Sequence, residues 1–416
     1  MVHIEKKVFL QYILNISFSM KIEKIKIENF KVYKSTEITN VGNFSVFLGA
    51  NGSGKSTLFD VFGFLSDALK SNVKVALNKR GGYKEVCTRG SKGPITFEIK
   101  FRNTEMQGSQ PLITYHLEIS LQQGTTIPVV AKEFLSYRRG QKGKPYRFLD
   151  FQYGKGTAII NEDQYTDSLN FEDQREEQTL DSPDILAIKG LGQFQKFKAI
   201  SAFRRLLDEW YVSNFQIQNA KEAEDVGYSE HLSTTGNNLA QVAKFIWENH
   251  RDVFNTIIEK FKQRVPGIEN VEPEETPDGR IILKFKDGSF KDPFISRFVS
   301  DGTIKMFAYL VLLYDPVRHP LLCVEEPENY LHPELLYELA EEFREYAQSG
   351  GQVFVSTHSP DFVNAIRVNE LFWLTKLHGI TSITKSDEIV KKLYENGDKM
   401  GWLWQQGYLK GSGPKS

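Results

Sequence analysis

The chain alternates short apolar runs with longer amphipathic stretches, and this pattern predicts an α/β protein. Phe44–Leu48 is a mainly apolar run that predicts a buried strand. Residues 321–324 are uninterrupted and apolar, as expected for a strand inside a parallel sheet, and residues 352–356 predict a third strand. Helical periodicity is present over residues 57–69 and over Pro333–Gln348, so helices follow the first two strands.

The middle of the chain has a different pattern. Residues 81–180 contain short β-like runs separated by turns rich in Gly, Pro, Asn and Gln, which predicts an antiparallel β lobe. Helices dominate residues 183–264, for example over 194–211 and 238–261, and residues 271–286 predict a hairpin. The predicted strands of the β lobe are 95–101, 114–121, 129–137 and 146–153.

Candidate chemistry begins directly after the strand Phe44–Leu48. Residues 49–56 match the G-x-x-x-x-G-K-[ST] pattern of a phosphate-binding P-loop. Its glycines let the backbone wrap closely, so that successive N–H groups point at the β- and γ-phosphates, and the helix N-terminus adds a favourable dipole. Lys55 is expected to reach the phosphates, and the Ser56 hydroxyl is expected to bind Mg²⁺. The residues expected to hold ATP here are Asn51, Gly52, Ser53, Gly54, Lys55, Ser56 and Thr57.

A second nucleotide signature, of the Walker B form, ends the strand at 321–324. Two carboxylates, Glu325 and Glu326, stand at the edge where open α/β sheets place their ligands. We expect Glu325 to hold the magnesium ion through its water shell, and Glu326 to orient and deprotonate the attacking water. His358 follows the strand at 352–356 and is expected to contact the γ-phosphate or that water. The expected catalytic residues are therefore Lys55, Glu326 and His358.

A further candidate is the sequence S-D-G-T at 300–303, which precedes a helical run over 304–314. A serine and a glycine at a helix N-terminus offer a hydroxyl, backbone N–H groups and a positive dipole end, which suit an anion. One nucleotide does not easily need two such cradles from one subunit. We therefore expect Ser300 and Gly302 to serve the nucleotide of a partner subunit, and the alternative is a simple helix cap.

The composition of the chain limits which partners the protein can bind. The chain has 416 residues and a formal charge of −1, so DNA binding would need a local basic patch rather than a global field. Residues 138–147 form a basic hairpin tip with an aromatic, for which contact with a phosphate backbone and a solvated turn are the two alternatives. Cys87 and Cys323 lack metal-ligand spacing, which indicates a reducing compartment.

The N-terminus superficially resembles a signal peptide, although it lacks a small-residue cleavage site and carries polar residues within its apolar run. Met20 begins a cleaner, strand-like alternation, so we expect it to be the natural start and residues 1–19 to be an upstream extension. No other stretch is apolar enough for a membrane helix. We expect a cytoplasmic protein without membrane contact.

Together these elements resemble the ABC-type ATPase head shared by SMC, RecF and OLD-family proteins, and they are most similar to stand-alone RecF/OLD-like predicted AAA-family ATPases of bacteria and archaea. The resemblance implies a homodimer that closes head-to-tail on two ATP molecules, with Ser300 and Gly302 of each subunit facing the other's γ-phosphate. It also implies that Lys31 lies near the base or ribose. The matching segments are 25–31, the P-loop, S-D-G-T, E-E-P-E-N-x-L-H-P at 325–333, S-T-H-S-P at 356–360 and 401–407.

Two departures from the family pattern matter. Glu325 stands where most ABC proteins have Asp, although its longer side chain should still reach a metal-bound water. The family's Q-loop glutamine cannot be placed by motif. We also expect no TOPRIM nuclease domain after His358, and no SMC-like coiled coil, because there is no long heptad run.

The predicted fold is an α/β P-loop NTPase with an ABC-ATPase-like head, in which a mixed central sheet carries an antiparallel β lobe and a helical lobe. The first part of the ATPase core is expected at residues 20–80 and the second part, with the signature, Walker B and histidine, at 291–416. Between them, the β lobe is expected at 81–180 and the helical lobe with its hairpin at 181–290.

The function expected from these motifs is ATP hydrolysis by a dimer that forms around ATP and Mg²⁺. By resemblance, such heads work in DNA repair, recombination or anti-phage defence, with DNA or a separately encoded nuclease as the partner. The alternative is a non-hydrolysing, ATP-gated scaffold or sensor, against which Glu326 and His358 argue. A transporter subunit is a third hypothesis, but such a compact head would not need the lobe at 81–180.

Overall fold

A computed structural model describes residues 20–103, 112–137, 145–161, 173–385 and 388–413. The chain folds as two compact units. We call Tyr211–Ile366 the Walker B unit, and we call the described residues up to Trp210 together with those from Arg367 onward the P-loop unit. The N-terminal extension at 1–19 and residues 138–144 of the predicted basic tip lie outside the described residues.

The strands are numbered along the chain. They are β1 (Met20–Phe30), β2 (Tyr33–Thr39), β3 (Phe44–Leu48), β4 (Ile95–Asn103), β5 (Leu112–Leu121), β6 (Pro128–Tyr137), β7 (Tyr146–Gln152), β8 (Lys155–Ile159), β9 (Arg175–Thr179), β10 (Tyr211–Val212), β11 (Glu224–Asp225), β12 (Ile268–Glu275), β13 (Arg280–Asp287), β14 (Phe294–Ile295), β15 (Leu321–Glu325), β16 (Gln352–Thr357), β17 (Leu371–Leu377) and β18 (Ile380–Lys385).

The helices are numbered in the same way, and short 3₁₀ turns also occur at Ser296–Phe298 and Val368–Glu370. They are α1 (Lys55–Lys70), α2 (Val73–Asn78), α3 (Tyr83–Val86), α4 (Ala187–Leu191), α5 (Lys198–Asp208), α6 (Ile217–Lys221), α7 (Leu239–Asn249), α8 (Arg251–Arg264), α9 (Asp301–Leu313), α10 (Pro333–Gln348), α11 (Pro360–Asn364), α12 (Glu388–Glu395) and α13 (Met400–Gln405). In the described part of the chain, no helix is both long enough and apolar enough to cross a membrane.

The P-loop unit contains an antiparallel sheet and a smaller mixed one. The antiparallel sheet has eight strands in the order β2-β1-β4-β5-β6-β7-β8-β9, and it contains the four strands predicted within 81–180 together with β1, β2, β8 and β9. In the mixed sheet, β3 pairs in parallel with β17, which pairs antiparallel with β18.

The helices α1 and α5 pack on the antiparallel sheet. Side chains of β5 alternate between buried and half-exposed, as a period of two requires when one face is covered. Phe203 of α5 stacks on Phe101 at a ring distance of 4.7 Å and lies 4.5 Å from Tyr115. Phe64 of α1 contacts Phe30 at 5.8 Å. The helix that follows the P-loop is therefore anchored on a large aromatic core.

In the Walker B unit, β10, β15 and β16 form a parallel sheet, and β11, β13 and β12 form an antiparallel one that β14 joins. The helix α9 is buried on every face from Ile304 to Leu313, and its Phe307 lies 5.4 Å from Phe261 and 5.7 Å from Phe285. The helical run predicted over 238–261 is two helices, because the chain leaves the helical conformation at His250, with φ −137° and ψ 57°.

Glu133 is a buried carboxylate in β6 that holds the start of α4. Its oxygens accept hydrogen bonds from the N–H groups of Ala187 at 2.5 Å and Ile188 at 3.2 Å, and from the hydroxyl of Tyr115 at 3.1 Å. These N–H groups have no partner within the helix, so the carboxylate acts as a cap. Burial is the dominant influence and raises the pKa of Glu133 to about 7.

This raised pKa makes the stability of the protein depend on pH. Between pH 4.5 and about 7 the folded state binds more protons than the unfolded state, so the free energy of unfolding should fall as pH rises through this window. The loss should reach about 3 kcal/mol at most. Urea denaturation of the wild type and of Glu133→Gln at several pH values would measure it, with Glu177→Gln, at an exposed position of β9, as the control. Identical pH profiles for the wild type and Glu133→Gln would contradict the prediction.

Candidate active site

The loop after β3 folds around the ammonium group of Lys55. This buried group donates hydrogen bonds to the carbonyl of Gly49 at 2.7 Å and to that of Ala50 at 3.2 Å. Gly52 and Gly54 have φ values of 77° and 107°, a left-handed conformation that glycine adopts without strain. The backbone turns back over its own lysine and ends at the N-terminus of α1, which is the arrangement of an anion site.

Neighbouring strands of the same unit hold this loop in place. Thr381 of β18 donates a hydrogen bond from its hydroxyl to the carbonyl of Ser53 at 2.7 Å, and Tyr33 donates one to that of Gly54 at 2.9 Å. A Cβ at Gly54 would lie 2.9 Å from the Thr381 hydroxyl oxygen, so a side chain there would push the loop outward. The predicted ATP-binding residues 51–57 thus lie together in the loop and the first turn of α1, where Ser56 is exposed.

Lys31 lies in the tight turn between β1 and β2, with a φ of 49°. Its ammonium group contacts Asp60 of α1 at 2.6 Å, and the same carboxylate accepts a hydrogen bond from Arg80 at 2.6 Å. The structure therefore brings Lys31 to the helix that begins with the P-loop lysine. Its contact with a base or ribose remains a prediction.

In the Walker B unit, the acidic pair lies where two parallel strands end together. The register of β15 and β16 places Glu325 opposite Ser356. The next residue, Glu326, has a φ of 44°, which is unusual for a residue with a side chain, and its N–H donates to the carbonyl of Ser356 at 2.9 Å. A backbone of this kind costs on the order of 1–3 kcal/mol and is typical of functional sites.

Glu326 and His358, both expected to be catalytic, are brought together. Nδ1 of His358 lies 3.1 Å from Oε1 of Glu326 and 3.5 Å from Oε1 of Glu328. The 3.1 Å contact is close but is not aligned as a hydrogen bond. Both side chains are partly exposed, His358 by 40% and Glu326 by 32%, so water can reach them.

Glu328 was not among the residues selected from the sequence, although it lies in the quoted E-E-P-E motif. Its side chain is 7% exposed, and its Oε1 accepts hydrogen bonds from the hydroxyl of Thr357 at 2.7 Å and the N–H of His358 at 3.0 Å. It therefore holds the end of β16 against the turn that follows β15. The signal available in the sequence was the position of Glu328, two residues after Glu326.

Lys305 was also not among the functional residues selected from the sequence. Its ammonium group is buried in α9 and donates hydrogen bonds to the carbonyls of Glu326 at 3.2 Å and Asn329 at 2.8 Å. The rings of Tyr309 and Tyr330 lie 5.5 and 5.8 Å away. Burial lowers the pKa of Lys305 to about 8, against the opposite effect of Glu328 and Glu326. A single lysine within an otherwise apolar helix was the signal in the sequence.

The signature residues lie at the start of α9. Ser300 is the N-cap, since its hydroxyl oxygen accepts a hydrogen bond from the N–H of Thr303 at 3.2 Å, and it is exposed. A Cβ at Gly302 would lie 2.6 Å from the carbonyl oxygen of Tyr330, so only glycine allows this close approach. The role of Ser300 as a helix cap is compatible with contact with a second subunit, because Ser300 is exposed to solvent.

The predicted site residues fall into both units. Lys31 and residues 51–57 belong to the P-loop unit, whereas Ser300, Gly302, Glu325, Glu326 and His358 belong to the Walker B unit. Each predicted metal ligand, taken in its own unit, is an oxygen donor of the kind that Mg²⁺ prefers: Ser56 has an exposed hydroxyl, and Glu325 has a carboxylate at the end of a buried strand.

A known family matches most of the chain. The family described as "AAA domain, putative AbiEii toxin, Type IV TA system" matches residues 44–364. The chain belongs to this family. The match includes the P-loop, the S-D-G-T segment, the acidic pair and His358, which are the motifs that the sequence analysis selected.

Two curated proteins are similar in sequence. An "ATP/GTP phosphatase" of Helicobacter pylori is 22% identical over 368 residues, which cover 86% of this chain and 91% of that protein. A "DNA double-strand break repair Rad50 ATPase" of Pyrococcus abyssi is 37% identical over 87 residues, which cover 21% of this chain and 9% of that protein.

Solved structures of SMC heads share the fold. An SMC head bound to the C-terminal winged-helix domain of ScpA has a TM-score of 0.55 at 15% identity, covering 90% of this chain and 99% of that one. A head domain from Pyrococcus furiosus, with an extended coiled coil and bound to the C-terminal domain of ScpA, has a TM-score of 0.52 at 14% identity, covering 91% and 99%. The predicted α/β fold of an ABC-type ATPase head of the RecF/SMC class is confirmed.

The burial of Lys305 should be measurable as a pH-dependent stability. The lowered pKa means that between about pH 8 and 10.5 the unfolded state binds more protons, so the free energy of unfolding should rise with pH in this window. Relative to Lys305→Met, the wild type should gain up to about 3 kcal/mol, measured by urea denaturation. Lys376→Met, at an exposed position of β17, is the control. A difference between the wild type and Lys305→Met that does not change with pH would refute the prediction.

Proposed function

We propose that this family member binds ATP with Mg²⁺ and hydrolyses it within an ATP-dependent homodimer. The observation that carries the proposal is the contact between Glu326 and His358 at the end of the Walker B strand, where the backbone of Glu326 is held in a left-handed conformation. A strained, water-accessible carboxylate beside an imidazole is suited to activating water. Similarity to an ATP/GTP phosphatase over most of the chain, and to a Rad50 ATPase over 87 residues, supports hydrolysis rather than binding alone.

In this proposal, the P-loop unit binds the triphosphate. The N–H groups of residues 51–57 and the start of α1 surround the β- and γ-phosphates, and Lys55 contacts them. Lys55 now donates to the carbonyls of Gly49 and Ala50, so its ammonium group is already positioned within the loop. Ser56 and Glu325 are the residues that would hold Mg²⁺, which would supply positive charge to the phosphate oxygens. Lys31 contacts the base or ribose.

The Walker B unit supplies the reacting groups. Glu326 orients a water molecule and accepts its proton, while His358 holds the γ-phosphate or the same water. Glu328 and Lys305 act as positioning residues, since Glu328 binds the N–H of His358 and Lys305 binds the carbonyl of Glu326. Such preorganisation reduces the rearrangement needed at the moment of reaction.

A second subunit completes each site. Ser300 is exposed at the N-terminus of α9, so its hydroxyl and the nearby N–H groups are available to the γ-phosphate bound by a partner. Hydrolysis then depends on dimerisation, and turnover is slow.

We further propose a role in DNA repair, recombination or anti-phage defence, with DNA or a separately encoded nuclease as partner. Measurement of phosphate release with and without duplex DNA tests whether DNA is a partner of the protein.

Replacement of Glu326 tests the catalytic base. Glu326→Gln should lower the rate of phosphate release by about 100-fold or more, because the amide cannot accept the proton. ATP binding should persist, so that the variant accumulates as an ATP-bound dimer in size-exclusion chromatography. Glu334→Gln, with an exposed carboxylate at the start of α10, is the control. A rate equal to that of the wild type would exclude Glu326 as the base. A wild type that dimerises with ATP but releases no phosphate would favour an ATP-gated scaffold.

Mixing two inactive variants tests the shared site. Lys55→Ala and Ser300→Arg should each abolish hydrolysis. In an equimolar mixture, a heterodimer has one intact site, formed by Lys55 of one subunit and Ser300 of the other, so activity should return to about a quarter of the wild-type value. Phosphate release is measured at concentrations that favour the dimer. Absence of recovery, with heterodimers shown by differential tagging, would contradict the role of Ser300 in a partner's site.

A further inference from the structure

Three side chains of metal-ligating type meet in the Walker B unit, near the start of β15 and therefore at the opposite end of this strand from Glu325. They are His231, Asp315 and His319, and each offers one ligand atom so that these atoms all lie within 4.8 Å of one another. Nδ1 of His231 is 2.9 Å from Oδ2 of Asp315, and the two imidazole rings are 5.4 Å apart. We propose that this His-Asp-His cluster binds a divalent transition-metal ion, with Zn²⁺ as the best match.

The donor set decides the class of metal. Two imidazoles with one carboxylate suit zinc and neighbouring transition metals, whereas magnesium and calcium prefer sites made wholly of oxygen. Ligand atoms around a tetrahedral zinc ion lie roughly 3.3 Å apart, given bonds of about 2.0–2.1 Å. The His231–Asp315 pair is already within this distance, and His231 is 39% exposed, so its ring can turn toward the ion. Three protein ligands leave a fourth position for water.

The ligands are held by other groups, as metal ligands usually are. Asp315 is 3% exposed, and its second oxygen accepts a hydrogen bond from the N–H of Val317 at 2.9 Å. The carbonyl of His231 accepts one from the side chain of Asn238 at 2.9 Å, and that of His319 accepts one from the hydroxyl of Tyr346 at 2.7 Å. Two loops, one between α9 and β15 and one between β11 and α7, therefore present the three ligands from fixed backbone positions.

The position of the cluster indicates what the metal does. Asp315 lies just after α9, the helix that begins next to Ser300, and His319 lies just before β15, the strand that ends at Glu325. His231 belongs to the loop between β11 and α7. An ion there fastens the end of the signature helix to the start of the Walker B strand and to this loop. The ion would link these two loops, and its binding does not rest on the proposed ATPase mechanism.

Metal binding to the full, untagged chain tests the proposal. After treatment with chelator and buffer exchange, Zn²⁺ is titrated by calorimetry in the presence of excess Mg²⁺ and without nucleotide. One Zn²⁺ should bind per chain and raise the melting temperature. Co²⁺ at the same stoichiometry should give visible absorption bands typical of bound nitrogen and oxygen ligands. Absence of saturable Zn²⁺ binding would overturn the proposal.

Variants assign the ion to this cluster. His231→Ala should weaken Zn²⁺ binding by more than about 100-fold, since loss of an outer partner alone costs about 10–100-fold. Because His231 is partly exposed, this variant should fold, and Asp315→Asn provides a second test. His378→Asn, at the exposed hairpin tip between β17 and β18, and Lys55→Ala should bind Zn²⁺ as the wild type does. Equal loss in His231→Ala and His378→Asn, or unchanged affinity in both cluster variants, would refute the assignment.

Discussion

The parallel pairing of β15 with β16 is the constraint on which the candidate catalytic residues depend. Parallel strands bring their carboxyl ends to one edge, and here the register sets Glu325 opposite Ser356. The N–H of Glu326 continues the ladder for one more hydrogen bond, to the carbonyl of Ser356. That bond fixes the backbone beyond the strand, so the side chains of Glu326 and His358 meet although they are distant in sequence.

Forming this edge of the Walker B unit costs free energy, and the surrounding contacts offset that cost. Glu326 has a left-handed backbone, and both Glu328 and Lys305 have buried charged groups. An unpaired buried charge would be strongly destabilising. Here each group has specific partners, since Glu328 binds Thr357 and the N–H of His358, while Lys305 binds two carbonyls of the turn after β15. The same contacts that compensate the cost also hold the backbone around the candidate catalytic residues.

The P-loop unit uses a similar principle. The loop is held from outside by the hydroxyls of Thr381 and Tyr33 and from inside by the ammonium group of Lys55. The helix α1 is held in turn by aromatic contacts with the antiparallel sheet. A rigid support of this kind keeps the backbone N–H groups directed at one point, which an anion site requires. The antiparallel sheet therefore also supports the P-loop.

The sequence by itself determined most of the elements and the motifs, because these are local. Apolar runs, a proline at the first turn and glycines after the end were enough to predict α10 as Pro333–Gln348, and the spacing of the P-loop needed no tertiary information. Only the tertiary structure decided the left-handed Glu326, the burial of Lys305 and the contact of Glu328 with His358. It also decided the inclusion of β1 and β2 in the antiparallel sheet. Each of these depends on strand register and on packing between distant segments, which local patterns do not encode.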